Sequence, residues 1–184
     1  MEIRLATPEI QKDSIVDGEG IRAVIWTQGC PHHCPFCQNP ETWDYNGGSL
    51  VDVEDIKKEI NSLDDEVGVT FSGGDPFEQP EACCELAKYC HKVKLNVWCY
   101  TGYTFEQLLK KADKEPAVMD FLKEIDILVD GPFINRLKSY EVKFRGSKNQ
   151  RIIKVKESLK NNKVVIYDID GHKHVKEKKQ EIYI

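Results

Sequence analysis

Ile21-Arg22-Ala23-Val24-Ile25-Trp26-Thr27 runs directly into Gln28-Gly29-Cys30-Pro31-His32-His33-Cys34-Pro35-Phe36-Cys37-Gln38-Asn39. The first part is a short, largely apolar run that reads as a buried strand. The second is a loop with three cysteines at CxxxCxxC spacing. Thiols this close in sequence can close on one metal centre, and no fourth cysteine lies nearby. A four-iron cluster normally takes four thiolates, one per iron, so a set of three leaves one iron open to a ligand that is not protein. A structural zinc site also takes four ligands, which His32 or His33 would complete. A disulfide, or burial of the cysteines as small apolar side chains, are the remaining readings. Spacing alone leaves iron and zinc open.

Outward from this loop, the same order of elements recurs. Val67-Gly68-Val69-Thr70-Phe71 ends in Ser72-Gly73-Gly74-Asp75-Pro76 and precedes helical periodicity over 78–93. A third strand over 95–99 ends in Tyr100-Thr101-Gly102 and precedes helical segments over 104–112 and 116–125. A fourth over 127–129 ends in Asp130-Gly131-Pro132. Before the second strand, apolar residues at Val53, Ile56, Ile60 and Leu63 give a helix with Asp52 as N-cap. Strand, glycine-bearing loop and helix in alternation predict an α/β fold with a parallel sheet. Loops at the C-terminal ends of such strands carry the chemistry, so the cysteine loop and the three glycine-bearing turns should converge. Some four βα units fall short of a closed barrel of about 250 residues. The expectation is a partial, open parallel βα barrel forming a single domain over 1–184. Residues 1–20 read as loop-rich and 44–49 as turn. A less regular C-terminal extension over 154–184 has strands near 152–155 and 164–167, and a hairpin turn at Asp170-Gly171 leading to a terminal strand near Ile182.

Length and composition are those of an ordinary globular protein: 184 residues, 40% hydrophobic, 31% charged, net charge −5. An acidic balance predicts no nucleic-acid surface, and the lysine-rich run 173–179, broken by Glu177, reads as a solvated face. No segment approaches a membrane span, and the first residues lack the apolar core of a signal peptide. The expectation is a cytoplasmic protein whose seven cysteines bind metal, catalyse or pack rather than form disulfides.

The residues also carry a resemblance. CxxxCxxC with the aromatic Phe36 just before the third cysteine, on the loop after the first strand of a βα series, resembles the radical S-adenosylmethionine enzymes. Ser72-Gly73-Gly74-Asp75-Pro76 is similar to that superfamily's glycine-glycine-acid-proline turn, where absent Cβ atoms let backbone approach a charged ligand. Val16-Asp17-Gly18-Glu19-Gly20-Ile21-Arg22, with Asn39-Pro40-Glu41-Thr42-Trp43, resembles the glycyl-radical-enzyme activases, with Glu19 where their turn usually has proline. Phe144-Arg145-Gly146-Ser147-Lys148-Asn149-Gln150-Arg151, after Val129-Asp130-Gly131-Pro132-Phe133, is similar to the branch acting on anaerobic ribonucleotide reductases. The likeness covers roughly residues 10–153.

The resemblance implies a [4Fe-4S] cluster on Cys30, Cys34 and Cys37, with S-adenosyl-L-methionine filling the open iron. Phe36, Cys37, Gln38, Gly73, Gly74 and Asp75 would contact that cofactor, Phe36 beside the adenine. It further implies reductive cleavage to methionine and a 5′-deoxyadenosyl radical, which removes a glycine Cα hydrogen in the glycyl-radical loop of the reductase large subunit. Flavodoxin or ferredoxin would be the electron donor, and the cofactor would carry the radical chemistry. Activation of another glycyl radical enzyme, a compact small-molecule radical enzyme, and a zinc-binding interaction domain without catalysis are the competing functions.

Other residues carry weaker signals. Cys83, Cys84, Cys90 and Cys99 lack compact ligand spacing and read as buried structural cysteines. His172 and His174 share a face but have no third partner. Asp130 reads either as orienting cofactor or partner, or as turn chemistry. Arg145 and Arg151 read either as contacts to the reductase or cofactor carboxylate, or as surface ion pairs.

Overall fold

The computed structural model describes residues 1–170. Gly171 of the expected hairpin, His172, His174, the run 173–179 and the strand near Ile182 lie outside the described residues. The core of the molecule is a mixed sheet in which β3 (Arg22–Thr27), β5 (Gly68–Gly73), β6 (Asn96–Tyr100) and β7 (Ile127–Asp130) pair in parallel. Their helices are α2 (Pro80–Lys92) between β5 and β6, and α3 (Phe105–Ala112) with α4 (Pro116–Glu124) between β6 and β7. The predicted α1 (Val53–Asn61) precedes β5, and the Asp52 carboxylate caps it by accepting from Glu54 N, worth about 1 kcal/mol. Thr104 and Gln107 form a capping box on α3.

Side-chain alternation sets the two faces. Ala23, Ile25, Val69, Phe71, Val97, Cys99, Leu128 and Ile153 pack with helix residues such as Ile56, Leu86 and Phe121 in one core. Their neighbours Trp98, Val129 and Ile152 point the other way and form a smaller cluster with Tyr100, Phe144, Tyr167 and Ile169. A period of two along each strand forces this division.

The sheet is wider than the parallel unit. β1 (Glu2–Leu5) and β2 (Gln11–Ser14) pair antiparallel with β3, β4 (Ser49–Asp52) with β1, and β8 (Arg151–Lys154) with β7. Residues 1–20, expected to be loop-rich, therefore supply two strands, and 44–49 runs into a third. These strands are only four residues long, too short for a pattern to stand out: β1 alternates, with Ile3 and Leu5 buried, over just two apolar positions, and β2 is wholly polar. The strand expected at 164–167 reduces to a single bridge between Ile153 and Ile166. A short helix, α5 (Val155–Asn161), follows β8 unannounced by any helical stripe long enough to read. Among the described residues no helix is long and apolar enough to cross a membrane.

Candidate functional site

The C-terminal ends of β3, β5, β6 and β7 open into one cleft. It is lined by Cys30, Cys34, Cys37 and Gln38 from the first loop, Gly73 and Gly74 from the second, Thr101 and Gly102 from the third, and Gly131 from the fourth. The convergence expected of the four loops is thus met in the fold. Inner-face residues Trp26, Ser72 and Tyr100, together with Asp17 and Gln150, complete much of the wall.

The cysteine loop is held from behind. Gly29 N donates to Thr42 O (2.8 Å) and Cys30 N to Trp43 O (3.2 Å), while Gln28 Nε2 donates to the carbonyls of Glu41 and Asp44. The Asn39–Trp43 stretch is therefore a backing strip for the loop. His33 and Phe36 both take left-handed backbone, at a cost of about 1 kcal/mol each, which compresses the turns between the cysteines. His33 stacks on Trp43 with ring centroids 4.9 Å apart.

Gly73 and Gly74 act first on the protein itself. A Cβ on Gly74 would meet Gly29 O at 2.4 Å, and one on Gly73 would meet Thr27 O at 2.5 Å. With side chains absent, Gly74 N donates to Thr27 O (2.7 Å) and Asp75 N to Gly29 O (2.8 Å). The second loop is thereby locked against the first.

Asp75 lies beneath the lining rather than in it, with no exposed surface. Its Oδ2 sits 2.7 Å from His32 Nε2 and accepts from Gly102 N (3.0 Å), and both oxygens meet Thr101 Oγ1 (3.0 and 2.8 Å). Oδ1 also accepts from Phe77 N (3.0 Å). One carboxylate thus ties the loops after β3, β5 and β6 together, and so many donors offset its desolvation. Gly102 is required here, because a Cβ would fall 2.3 Å from the His32 ring. No composition or spacing rule reveals such a hub.

Phe36 stands outside the cleft lining, with 77% of its surface exposed. Asp130 also lies behind the wall. It is buried, accepts from Phe105 N at the start of α3, and pairs with Arg151, which reaches on to Glu106. Of the two readings for each, turn and α3 anchoring fits Asp130, and ion pairing fits Arg151. Arg145 pairs with Asp170. Cys83, Cys84, Cys90 and Cys99 are all buried, as expected.

The donor set is chemically suited to an iron–sulfur cluster. Burial pushes the Cys30 thiol up to about 11, against backbone N–H groups that lower it, and burial likewise raises Cys34. Ligation would therefore displace protons. The described cysteines are free thiols. Three of them on one cleft fit a four-iron cluster that takes one thiolate per iron and leaves one iron open. The Trp43 Nε1–H in this lining is buried with no acceptor, a donor matched to an anionic or sulfide-bearing guest.

Fold and cleft together define a domain built to carry one iron–sulfur cluster. The family described as a 4Fe-4S single cluster domain matches residues 16–153. The anaerobic ribonucleoside-triphosphate reductase-activating protein of Escherichia coli (strain K12) is 33% identical over 145 residues, covering 74% of this chain and 90% of its own. Its namesake from Haemophilus influenzae is 34% identical over 151 residues, 77% and 93% of the two chains. The pyruvate formate-lyase-activating enzyme of Clostridium pasteurianum is 35% identical over 113 residues, 56% of this chain and 48% of that protein. The chain belongs to the family of anaerobic ribonucleoside-triphosphate reductase-activating proteins.

Proposed function

We infer that this chain is a glycyl-radical-enzyme activase, a radical S-adenosylmethionine oxidoreductase whose partner is the anaerobic ribonucleotide reductase large subunit. The observation that carries the reading is the single cleft shared by Cys30, Cys34 and Cys37 and the Gly73-Gly74 turn. When bound, the [4Fe-4S] cluster supplies an electron that cleaves S-adenosyl-L-methionine to methionine and a 5′-deoxyadenosyl radical, which takes a hydrogen atom from a glycine Cα of the partner. In this reading the three thiolates hold the cluster, while Gln38, Gly73 and Gly74 line the seat of the cofactor. Phe36 flanks it from the rim, and Asp75 contributes by keeping the loops in register. The inner face of the sheet is the wall of a partial barrel within a single domain over 1–184. Its open side admits a polypeptide loop. A flavodoxin or ferredoxin in the cytoplasm supplies the electron.

The test is anaerobic reconstitution with iron and sulfide, then addition of reductant, S-adenosyl-L-methionine and the reductase. The expected result is 5′-deoxyadenosine together with a glycyl radical signal by electron paramagnetic resonance. A protein that binds one zinc and neither iron nor sulfide would overturn the reading. The likeness to a pyruvate formate-lyase-activating enzyme favours a second partner class, so pyruvate formate-lyase belongs in the same assay.

A further inference from the structure

Between Arg136 and Lys148 the chain carries five basic residues, Arg136, Lys138, Lys143, Arg145 and Lys148, against one acidic residue, Glu141, in a protein of net charge −5. This segment is a hairpin-like excursion: Lys138 bridges Ser147, Ser139 N donates to Gly146 O (3.4 Å), and Lys148 N donates to Leu137 O (2.9 Å). Its base is fastened to the loop after β7. Ile134 N donates to Ser147 Oγ, Asn149 Nδ2 to Pro132 O, and Gln150 Nε2 to Gly131 O. The far strand is fastened as well. Phe144 packs edge-on to Trp98, its carbonyl accepts from Tyr100 Oη (2.9 Å), and Arg145 pairs with Asp170.

The backbone is thus held on several sides while the tip points outward. Gly146 and Gln150 at the base line the cleft, so the hairpin springs from its wall. Tyr140 is 91% exposed, with Lys138 Nζ 5.1 Å from its ring centroid. Lys138, Lys143 and Arg136 are exposed and form no salt bridge among the described residues, and Lys148 reaches only Glu141. A rigid hairpin that holds an aromatic and unneutralised cations in solvent gains little for folding. Basic and aromatic groups on a pre-ordered element are what an interface uses to steer and anchor an oppositely charged partner.

We propose that the hairpin 136–148 is a docking element for an acidic segment of the protein substrate, engaged while that substrate's reactive loop occupies the adjacent cleft. The inference rests on the reading under Proposed function. It favours protein over nucleic acid because the patch is confined to one hairpin of an acidic chain and adjoins a cleft that takes a polypeptide.

The test compares the reconstituted chain with K138E/K143E and K138Q/K143Q, titrating anaerobic ribonucleotide reductase at low and high salt. Uncoupled 5′-deoxyadenosine formation without reductase is measured alongside. The expected result is a rise of about ten-fold or more in the reductase concentration for half-maximal activation with K138E/K143E. K138Q/K143Q should fall between it and the wild type, the differences should shrink at high salt, and uncoupled turnover should be unchanged. Equal half-maximal concentrations in all three would overturn the docking inference while leaving the activase reading intact. Loss of cluster or of uncoupled turnover in K138E/K143E would also overturn it, since the hairpin would then be shaping the cleft. So would preferential binding of an oligonucleotide over the reductase. No glycyl radical from the wild type would remove the activase reading and this inference with it.

Discussion

The parallel strands carry a buried charge at each end, and the two ends do different things. At the N-terminal end Arg22, fully buried, donates from Nε to Thr70 Oγ1 (2.7 Å), from Nη2 to Val69 O (2.9 Å) and Asn96 O (3.3 Å), and from Nη1 to Glu19 O (3.2 Å), with Trp98 beneath it. At the C-terminal end Asp75 accepts from backbone and hydroxyl donors of two loops and meets the His32 ring of a third. Each charge is met mainly by dipoles, which limits the cost of burying it. Desolvation still lowers Arg22 to about 10 against nearby negative charge that raises it. The difference lies in what surrounds them. Arg22 ties the 17–20 loop to the sheet, whereas Asp75 ties together glycine-bearing loops that line the cysteine cleft. A buried charge is therefore a clamp at both ends, and the site is made by the cysteines and the missing Cβ atoms beside it.

Cysteine substitutions at the two ends should separate most sharply. Cys30→Ala is expected to abolish iron binding and activation. Cys90→Ala, close enough to Arg22 to feel its charge but with its thiol pushed up to about 12 by burial, should retain full iron at a cost of about 1 kcal/mol in stability. Iron and sulfide analysis after reconstitution reads both, and equal losses would break the comparison.

Next is Asp75→Asn. The amide keeps the shape but turns one acceptor into a donor facing His32 and Gly102 N, so we expect a loss of about 3 kcal/mol in urea unfolding. Arg22→Lys should cost somewhat less, about 2 kcal/mol, because an ammonium cannot span the acceptors that the guanidinium fork reaches. Iron content should stay at the wild-type level. Loss of iron in the Arg22 variant would mean that the two ends are coupled.

The smallest effect is a pH dependence. Hydrogen bonding to Arg151 lowers Glu106 to about 2 from the usual 4.5, with burial opposing. Its folded value is depressed, so the stability it adds is present above about 4.5 and is lost as pH falls towards about 2. Glu106 is 55% exposed, which holds the gain below about 1 kcal/mol. The stability gap between wild type and Glu106→Gln should close over that window, and a gap that persists at pH 2 would assign the effect to packing.

Legibility followed the range of the interaction. Strands β3, β5, β6 and β7 and helices α1 to α4 were readable because periodicity and caps are local signals. The short antiparallel strands β1, β2 and β4 were not, since their pairing supplies what their sequences lack, whereas β8 was readable from the apolar Ile152 and Ile153. Within the site, the cysteines and the Gly-Gly turn were readable as motifs. Asp130 and Arg151 were left between two readings, and only their mutual contact decides for structure.

By itself the sequence determined the cysteine loop at the end of a buried strand, the recurrence of strand, glycine turn and helix, and hence the convergence of four loops on one face. These depend on covalent spacing and on periods of two and 3.6 residues. Tertiary structure alone decided that Asp75 is a buried hub and that Asn39–Trp43 backs the cysteine loop. It also decided that Arg145 meets Asp170, and that Tyr167 Oη reaches Glu19 across 148 residues of chain. Such contacts follow from sheet register and loop convergence, which exist only once the distant segments have packed.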